Sequence, residues 1–340
     1  MTWMSCRVPT RVDLAGGTLD ISPLPRLLSN PTTINLGVGL YATARGRVIK
    51  GSKFIVASKD QKVKLTGTMK DLVETSELPI VGLILKHCWE PSWSAIEIEL
   101  EAMCPRGAGL GGSSAICIAL LGLLSNLRES EGYAGLFSSD QEHASLAQDI
   151  EAELIRVPTG CQDYWGAVKG GANILKYPPG KVELTHLSEF EMSGLTQQMF
   201  LWYSGVSRAS AVNNWDIFRE FFDGNEAVQC GLQEVATCAR QTAEAFLEKN
   251  WLRVIEASER EWQVRLGLWP MIETPETQKI DCVAKEEGAY FSRVCGAGGG
   301  GVMLVFCPQE HQQQVISRLK EIGGFHLDVP IGVGGISYSK

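Results

Sequence analysis

Over the first hundred residues apolar and polar positions alternate; after that the period changes. Residues 42–49 and 54–65 alternate and carry many β-branched side chains, which predicts a hairpin around Gly51-Ser52. The stretch AIEIEL at 95–100 alternates apolar with acidic residues, the mark of a half-buried strand. From 114 to 127 the apolar residues occupy every face, so a buried helix is expected there rather than a surface one. A second helix is expected over about 139–155, with Ser139 or Asp140 as its cap.

The second half has a different rhythm. FLWY at 200–203 predicts a short buried strand, and helical periodicity follows over 208–222, 226–248 and 251–266. Thr274 before Pro275 predicts a capped helix start, and Gly288 its stop. Strands are expected at 290–294 and 302–306, flanking a glycine loop. A helix over 308–322 and a last strand near Ile336 complete the chain. This order predicts an α+β protein of two lobes, 1–190 and 191–340. Trp215, Trp251, Trp262 and Trp269 fall in the helical stretches and read as packing residues.

Two segments, GAGLGG at 107–112 and GAGGGG at 296–301, fit G-x-G-x-x-G. Neither is in the setting of a dinucleotide fingerprint, which needs strand, loop, helix and a second strand with an acid after it. Two helices follow the first segment and a strand follows the second, and no G-x-x-x-x-G-K-[ST] occurs. The physical content of the first segment survives. Consecutive glycines let backbone N–H groups turn toward one point, and the following helix adds its positive end. Serines at such a start cap the backbone or bind a metal carried by phosphate.

Charge and cysteines narrow the field. A formal net charge of −8 argues against a general nucleic-acid or membrane-surface binder and leaves a small-molecule partner. The longest apolar run, 115–124, is far short of the roughly 20 residues that span a bilayer. The N-terminus has no charged region followed by an apolar stretch, so no signal peptide is expected. Ten cysteines without a C-x-x-C pair, and five dispersed histidines, suit reduced thiols and give no zinc spacing. A cytoplasmic protein, monomer or homodimer, is expected.

The segment PRGAGLGGSSA at 105–115 resembles the central motif P-x-x-x-G-L-G-S-S-A of the GHMP kinases. RVPTRVDLAGGTLD at 7–20 resembles that family's N-terminal motif in its sugar-kinase form. CGAGGGG at 295–301 resembles its C-terminal glycine motif, and PTGCQD at 158–163 the segment with its catalytic aspartate. The resemblance implies two α+β lobes, an N-terminal one like ribosomal protein S5 domain 2 and a ferredoxin-like C-terminal one. It also implies ATP and Mg2+ in the cleft between them, and a sugar or sugar phosphate as acceptor, with the anomeric hydroxyl receiving the phosphate. Heptose-7-phosphate 1-kinases, fucokinases and galactokinases are the similar branch.

By that resemblance Asp163 orients or deprotonates the acceptor hydroxyl, and Arg11 stands beside it and the γ-phosphate. The ATP cradle is Pro105, Gly107, Ala108, Gly109, Leu110, Gly111, Gly112, Ser113 and Ser114. An extra residue, Gly112, leaves the magnesium ligand open between Ser113 and Ser114; Glu151, with Glu153 as its alternative, supplies the carboxylate. Gly17, Thr18 and Asp20 are placed at the sugar, together with Tyr203, Gly298 and Gly299. Arg208 reads either as a phosphate contact or as a solvated residue at a helix start. The alternatives within the family are a mevalonate- or homoserine-type kinase or a diphosphate decarboxylase. Outside enzymes, the alternative is a sugar-binding regulator without catalysis.

Overall fold

The computed structural model describes residues 2–90, 94–207 and 212–340. The first sheet is organised around one long strand. β1 (Met4–Ala15) leads through the short helix α1 (Leu24–Leu27) to β2 (Thr32–Ile49), and the two pair antiparallel along almost the whole of β1. Their register shifts at Pro9/Thr10, where proline has no N–H to give the ladder, and again at Asp13/Ala15.

β3 (Phe54–Ser58) and β4 (Val63–Gly67) form a hairpin with each other. After α2 (Met69–Glu74) and α3 (Pro79–Cys88), β5 (Ala95–Ala102) inserts between β2 and β3, antiparallel to one and parallel to the other. The expected hairpin between 42–49 and 54–65 therefore does not form. Four polar residues, Lys59-Asp60-Gln61-Lys62, break the second run, and Lys62 takes the left-handed conformation at φ +56°. Ile96, Ile98 and Leu100 of β5 are buried on one face, and this strand needs a partner at both edges.

Three helices follow: α4 (Gly112–Ser130), α5 (Asp140–Ile155), capped by the Ser139 side chain, and α6 (Gln162–Lys169). β6 (Ala172–Lys176) returns to pair with the first part of β2, and β7 (Glu183–Leu187) pairs with β6.

The second lobe starts with α7 (Ser193–Thr196) and β8 (Met199–Tyr203). α8 (Val212–Phe222), α9 (Glu226–Leu247), α10 (Trp251–Leu268) and α11 (Pro275–Glu286) follow, the last with the expected Thr274 cap, which forms a capping box with Thr277. β9 (Phe291–Val294), β10 (Val302–Phe306), α12 (Gln312–Lys320) and β11 (Phe325–Leu327) complete a four-stranded sheet of order β11-β8-β10-β9. That order is the ferredoxin-like one. The last strand, β12 (Ser337–Ser339), crosses back and extends the first sheet at β1.

Two apolar cores meet along β1 and β2. Cys6, Val8, Ala42 and Ala44 pack with α3, α4, α5 and α6. Val12, Leu14, Leu36 and Val38 instead pack with α9, α10 and the strands of the second sheet. The middle of β1 thus runs from one core into the other, which places Arg11 and Asp13 where the lobes join. Among the described residues no helix is long and apolar enough to cross a membrane.

Candidate active site

A cleft of about 500 Å³ opens at this junction, a size suited to small ligands. Its lining draws on every motif singled out in the sequence: Arg11, Gly17, Thr18 and Asp20, the loop 104–114, Glu151, residues 157–160, Gln162 and Asp163, and Gly296 and Ala297.

The loop 105–112 is held through its carbonyls. Leu110 accepts from the Arg11 backbone N–H at 3.0 Å, Gly109 from Arg11 Nη1 at 2.8 Å, and Ala108 from Val302 N–H at 2.8 Å. With those carbonyls directed into the protein, the loop ends at Gly111, which caps α4 at φ +71°. A Cβ there would lie 3.2 Å from the Asp163 carboxyl carbon, so Gly111 keeps open the space between the loop and that carboxylate. The positive end of α4 faces this space.

The two candidate serines separate at once. Ser113 is exposed in the cleft, whereas Ser114 is buried and donates to Glu151 Oε2 at 2.7 Å. Tyr164 donates to the same oxygen at 2.8 Å, which fixes the carboxylate. Glu153 lies on the outside, bonded to His87 at 2.7 Å. No group of three or more His, Cys, Asp or Glu side chains that could hold a metal occurs among the described residues. Ser114 and Glu151 therefore fit a hard cation only with further oxygen ligands brought by phosphate, as magnesium prefers.

Asp163 sits in the first turn of α6. Arg11 Nε and Nη2 both reach its Oδ1, at 2.7 and 2.6 Å, leaving Oδ2 beside Gly111. Arg11 is buried. Burial alone would lower its pKa, but Asp163 and Asp13 outweigh that and raise it, so it stays charged.

Asp20 is buried and accepts from the Gln162 N–H at 2.9 Å. It needs Gly160 as its neighbour: a Cβ at 160 would be 2.1 Å from Asp20 Oδ2. Burial, reinforced by repulsion from Asp163, pushes the Asp20 carboxyl up to about 6. Thr18 holds the turn before it at φ +73°.

Not every expected residue arrives. Tyr203, at the end of β8, packs 5.1 Å from the Phe325 ring and does not line the cleft. Nor do Gly298 and Gly299: Gly298 lies against Ile272, and the Gly299 N–H donates to the Ile272 carbonyl at 2.8 Å. From that loop Gly296 and Ala297 are the residues that reach the cleft. Arg208 lies outside the described residues. Trp215 departs from its packing assignment: it lines the cleft, 39% exposed, with its ring stacked 5.6 Å from Phe218. Trp262 is buried, as expected of a packing residue.

Sequence reasoning missed a buried ionic network beneath the cleft. Asp13 Oδ1 accepts from the Gly296 N–H at 3.0 Å and lies 3.8 Å from Arg11 Nη1; its Oδ2 is 3.3 Å from Arg293 Nη2. Arg293 Nη1 is 3.0 Å from Glu261 Oε2, and Glu261 Oε1 accepts from Arg265 Nε at 2.6 Å. The signals were an arginine within a buried strand, and opposite charges four apart on the inward face of α10.

Known proteins with similar sequences or folds agree on one class. The description "GHMP kinases N terminal domain" matches residues 79–171, and "GHMP kinases C terminal" matches 242–324. A D-glycero-alpha-D-manno-heptose 7-phosphate kinase of Campylobacter jejuni is 23% identical over 347 residues, covering 99% of this chain and 98% of that protein. A mevalonate kinase of Thermococcus onnurineus is 24% identical over 247 residues, 72% of this chain and 69% of that protein. The structure of Lactococcus lactis galactokinase complexed with galactose superposes with a TM-score of 0.75 at 14% identity, covering 98% and 95% of the two chains.

The Asp20 environment gives a prediction with a definite sign. Its folded pKa lies above the ordinary 3.8, so the folded protein binds this proton more tightly than the unfolded chain. Stability therefore falls as pH rises from about 4 to 6, and above that a penalty of about 2–3 kcal/mol is present in full. Asp20→Asn should melt higher than the parent at pH 8, and the gain should vanish below pH 4 in thermal scans. A variant that melts lower at pH 8 would show that the ionised carboxylate is well solvated by its neighbours.

Proposed function

Because the chain belongs to the GHMP kinases, we propose that this phosphotransferase moves the γ-phosphate of ATP to the anomeric hydroxyl of a sugar or sugar phosphate. The observation that carries the reading is the Arg11–Asp163 pair on the floor of the cleft, with a glycine loop and helix start on one side and Asp20 on the other.

Phosphoryl transfer depends on placing two oxygens in line and stabilising charge that builds between them. Asp163 Oδ2, free of the bonds from Arg11, is the atom that would accept the proton of the acceptor hydroxyl. Arg11 fixes that carboxylate in one orientation and directs its charge at the transferring group. The N-terminus of α4 and loop 105–112 hold the donor phosphates. Magnesium, when bound, neutralises phosphate charge; Ser114 and Glu151 are the residues that would hold it. In this reading residues 1–190 form the ATP lobe and 191–340 the second lobe.

A sugar acceptor is favoured over a carboxylate substrate such as mevalonate. A sugar offers paired hydroxyls, and the buried Asp20 carboxylate at the acceptor end is placed to accept hydrogen bonds from them. The similarity over nearly the whole length of a heptose phosphate kinase points the same way.

The direct test is an ADP-release screen over reducing sugars, their phosphates and mevalonate. Turnover is expected with a sugar, and the product should have lost its reducing end. Mevalonate as the preferred acceptor, or a product that still reduces tetrazolium, would overturn the proposal. Asp163→Asn should bind ATP and lose about 10²–10⁴ in kcat. Glu151→Gln and Ser114→Ala should raise the magnesium requirement, whereas Glu153→Gln should leave it unchanged. An equal response from Glu151 and Glu153 would remove the metal assignment.

A further inference from the structure

The turn that leads to Asp20 belongs by sequence to the first lobe, yet side chains of the second lobe hold much of its backbone. Ser258 Oγ donates to the Leu14 carbonyl at 2.6 Å, and Arg293 Nη1 donates to the same oxygen. The Gly16 N–H donates to Glu261 Oε1 at 3.0 Å, and Arg265 Nη2 donates to the Gly17 carbonyl. Ser258, Glu261 and Arg265 lie on one inward face of α10, at positions i, i+3 and i+7.

These groups are not cheaply buried. Glu261 has no exposed surface, and Arg265 and Arg293 retain only 3% and 1%. Glu261 Oε2 and Arg293 Nε are buried without a hydrogen-bond partner, although the two side chains form an ion pair at 3.0 Å, so this set costs more than an apolar one filling the same space. None of the three lines the cleft. What they do touch is the backbone of residues 14–17, and Gly17 and Thr18 above it line the cleft next to Asp20.

We infer that Glu261 and Arg265 are positioning residues which set acceptor affinity from the second lobe, by fixing the height and tilt of the Gly16-Gly17 turn. The inference rests on reading the cleft as the kinase site described above. Arg265 makes two bonds in one plane, Nε to Glu261 and Nη2 to Gly17, which a planar fork allows and an ammonium does not. Glu261 divides its two oxygens: Oε1 serves the turn and Arg265, and Oε2 faces Arg293. Losing the pair frees the turn while the Arg11–Asp163 pair, bonded to Gly109 and not to α10, stays in place. Acceptor binding should therefore suffer far more than chemistry or ATP binding.

The experiment compares the parent with Arg265→Lys, Arg265→Met and Glu261→Gln. The double variant Glu261→Gln/Arg265→Gln removes both charges together, in case a single change leaves an unpaired buried charge and the chain does not fold. Two readouts are taken. Amide hydrogen exchange at Gly16 should quicken by about 10-fold or more in Glu261→Gln and in the double variant, because the acceptor of that N–H is weakened. With the sugar or sugar phosphate that gives the fastest ADP release in the parent, KM for that sugar should rise about 10–100-fold, while kcat and KM for ATP stay within about 3-fold. Arg265→Lys should resemble Arg265→Met rather than the parent. Unchanged exchange at Gly16 overturns the inference whatever the activity. Faster exchange with sugar KM unmoved, or with kcat falling and both KM values rising together, also overturns it, since the pair would then be structural only. If the parent releases no ADP with any sugar, the kinase reading fails, and exchange at Gly16 alone decides whether α10 holds the turn.

Discussion

Arg11 joins the glycine loop of the cleft to Asp163. Its backbone N–H and its guanidinium bind two successive carbonyls of the glycine loop, and the same guanidinium holds Asp163. Because one side chain sets the distance between loop and carboxylate, the two cannot drift apart independently. The strand that carries Arg11 passes from one apolar core to the other, so its placement rests on the packing of both lobes. Its burial is tolerated because Asp163 and Asp13 compensate the lost hydration.

The surrounding charges balance with little to spare. Arg11, Arg265 and Arg293 stand against Asp13, Glu261 and Asp163, each in contact with at least one partner of opposite sign. Asp20 stands outside these pairs, and burial, reinforced by repulsion from Asp163, raises its pKa. In the kinase reading proposed above, an under-compensated acceptor kept at some cost to the empty fold is compensated by the bonds of the incoming ligand. Asp13 also bonds the Gly296 N–H, so the network reaches the second glycine loop as well as the Gly16-Gly17 turn.

Much of the fold and the site could be read from the chain because the informative residues are contiguous. Glycines 107–112 precede a helix too apolar for a surface, and Ser139 and Thr274 mark helix starts that the structure reproduces. Pairing was less legible. Alternation at 42–49 and 54–65 says that both are strands, but nothing local says that a strand forty residues later will lie between them. A motif likewise locates a loop without saying which of its residues faces the ligand, so Gly298 and Gly299 were expected where Gly296 and Ala297 stand. Trp215 was hidden by the general tendency of aromatic residues toward burial. The ionic network was the hardest to see, since the bonds that tie residues 13–17 to the second lobe join residues 244 to 283 positions apart.

In the kinase reading proposed above, Arg11 and Asp163 act on one transition state as a unit. A double-mutant cycle in kcat, with Arg11→Met, Asp163→Asn and the two combined, tests it most directly, with ATP binding measured alongside to show that each variant retains its cleft. Strong non-additivity is expected, the double variant losing about as much as the worse single one. Losses that multiply, each change contributing its full factor in the presence of the other, would contradict it.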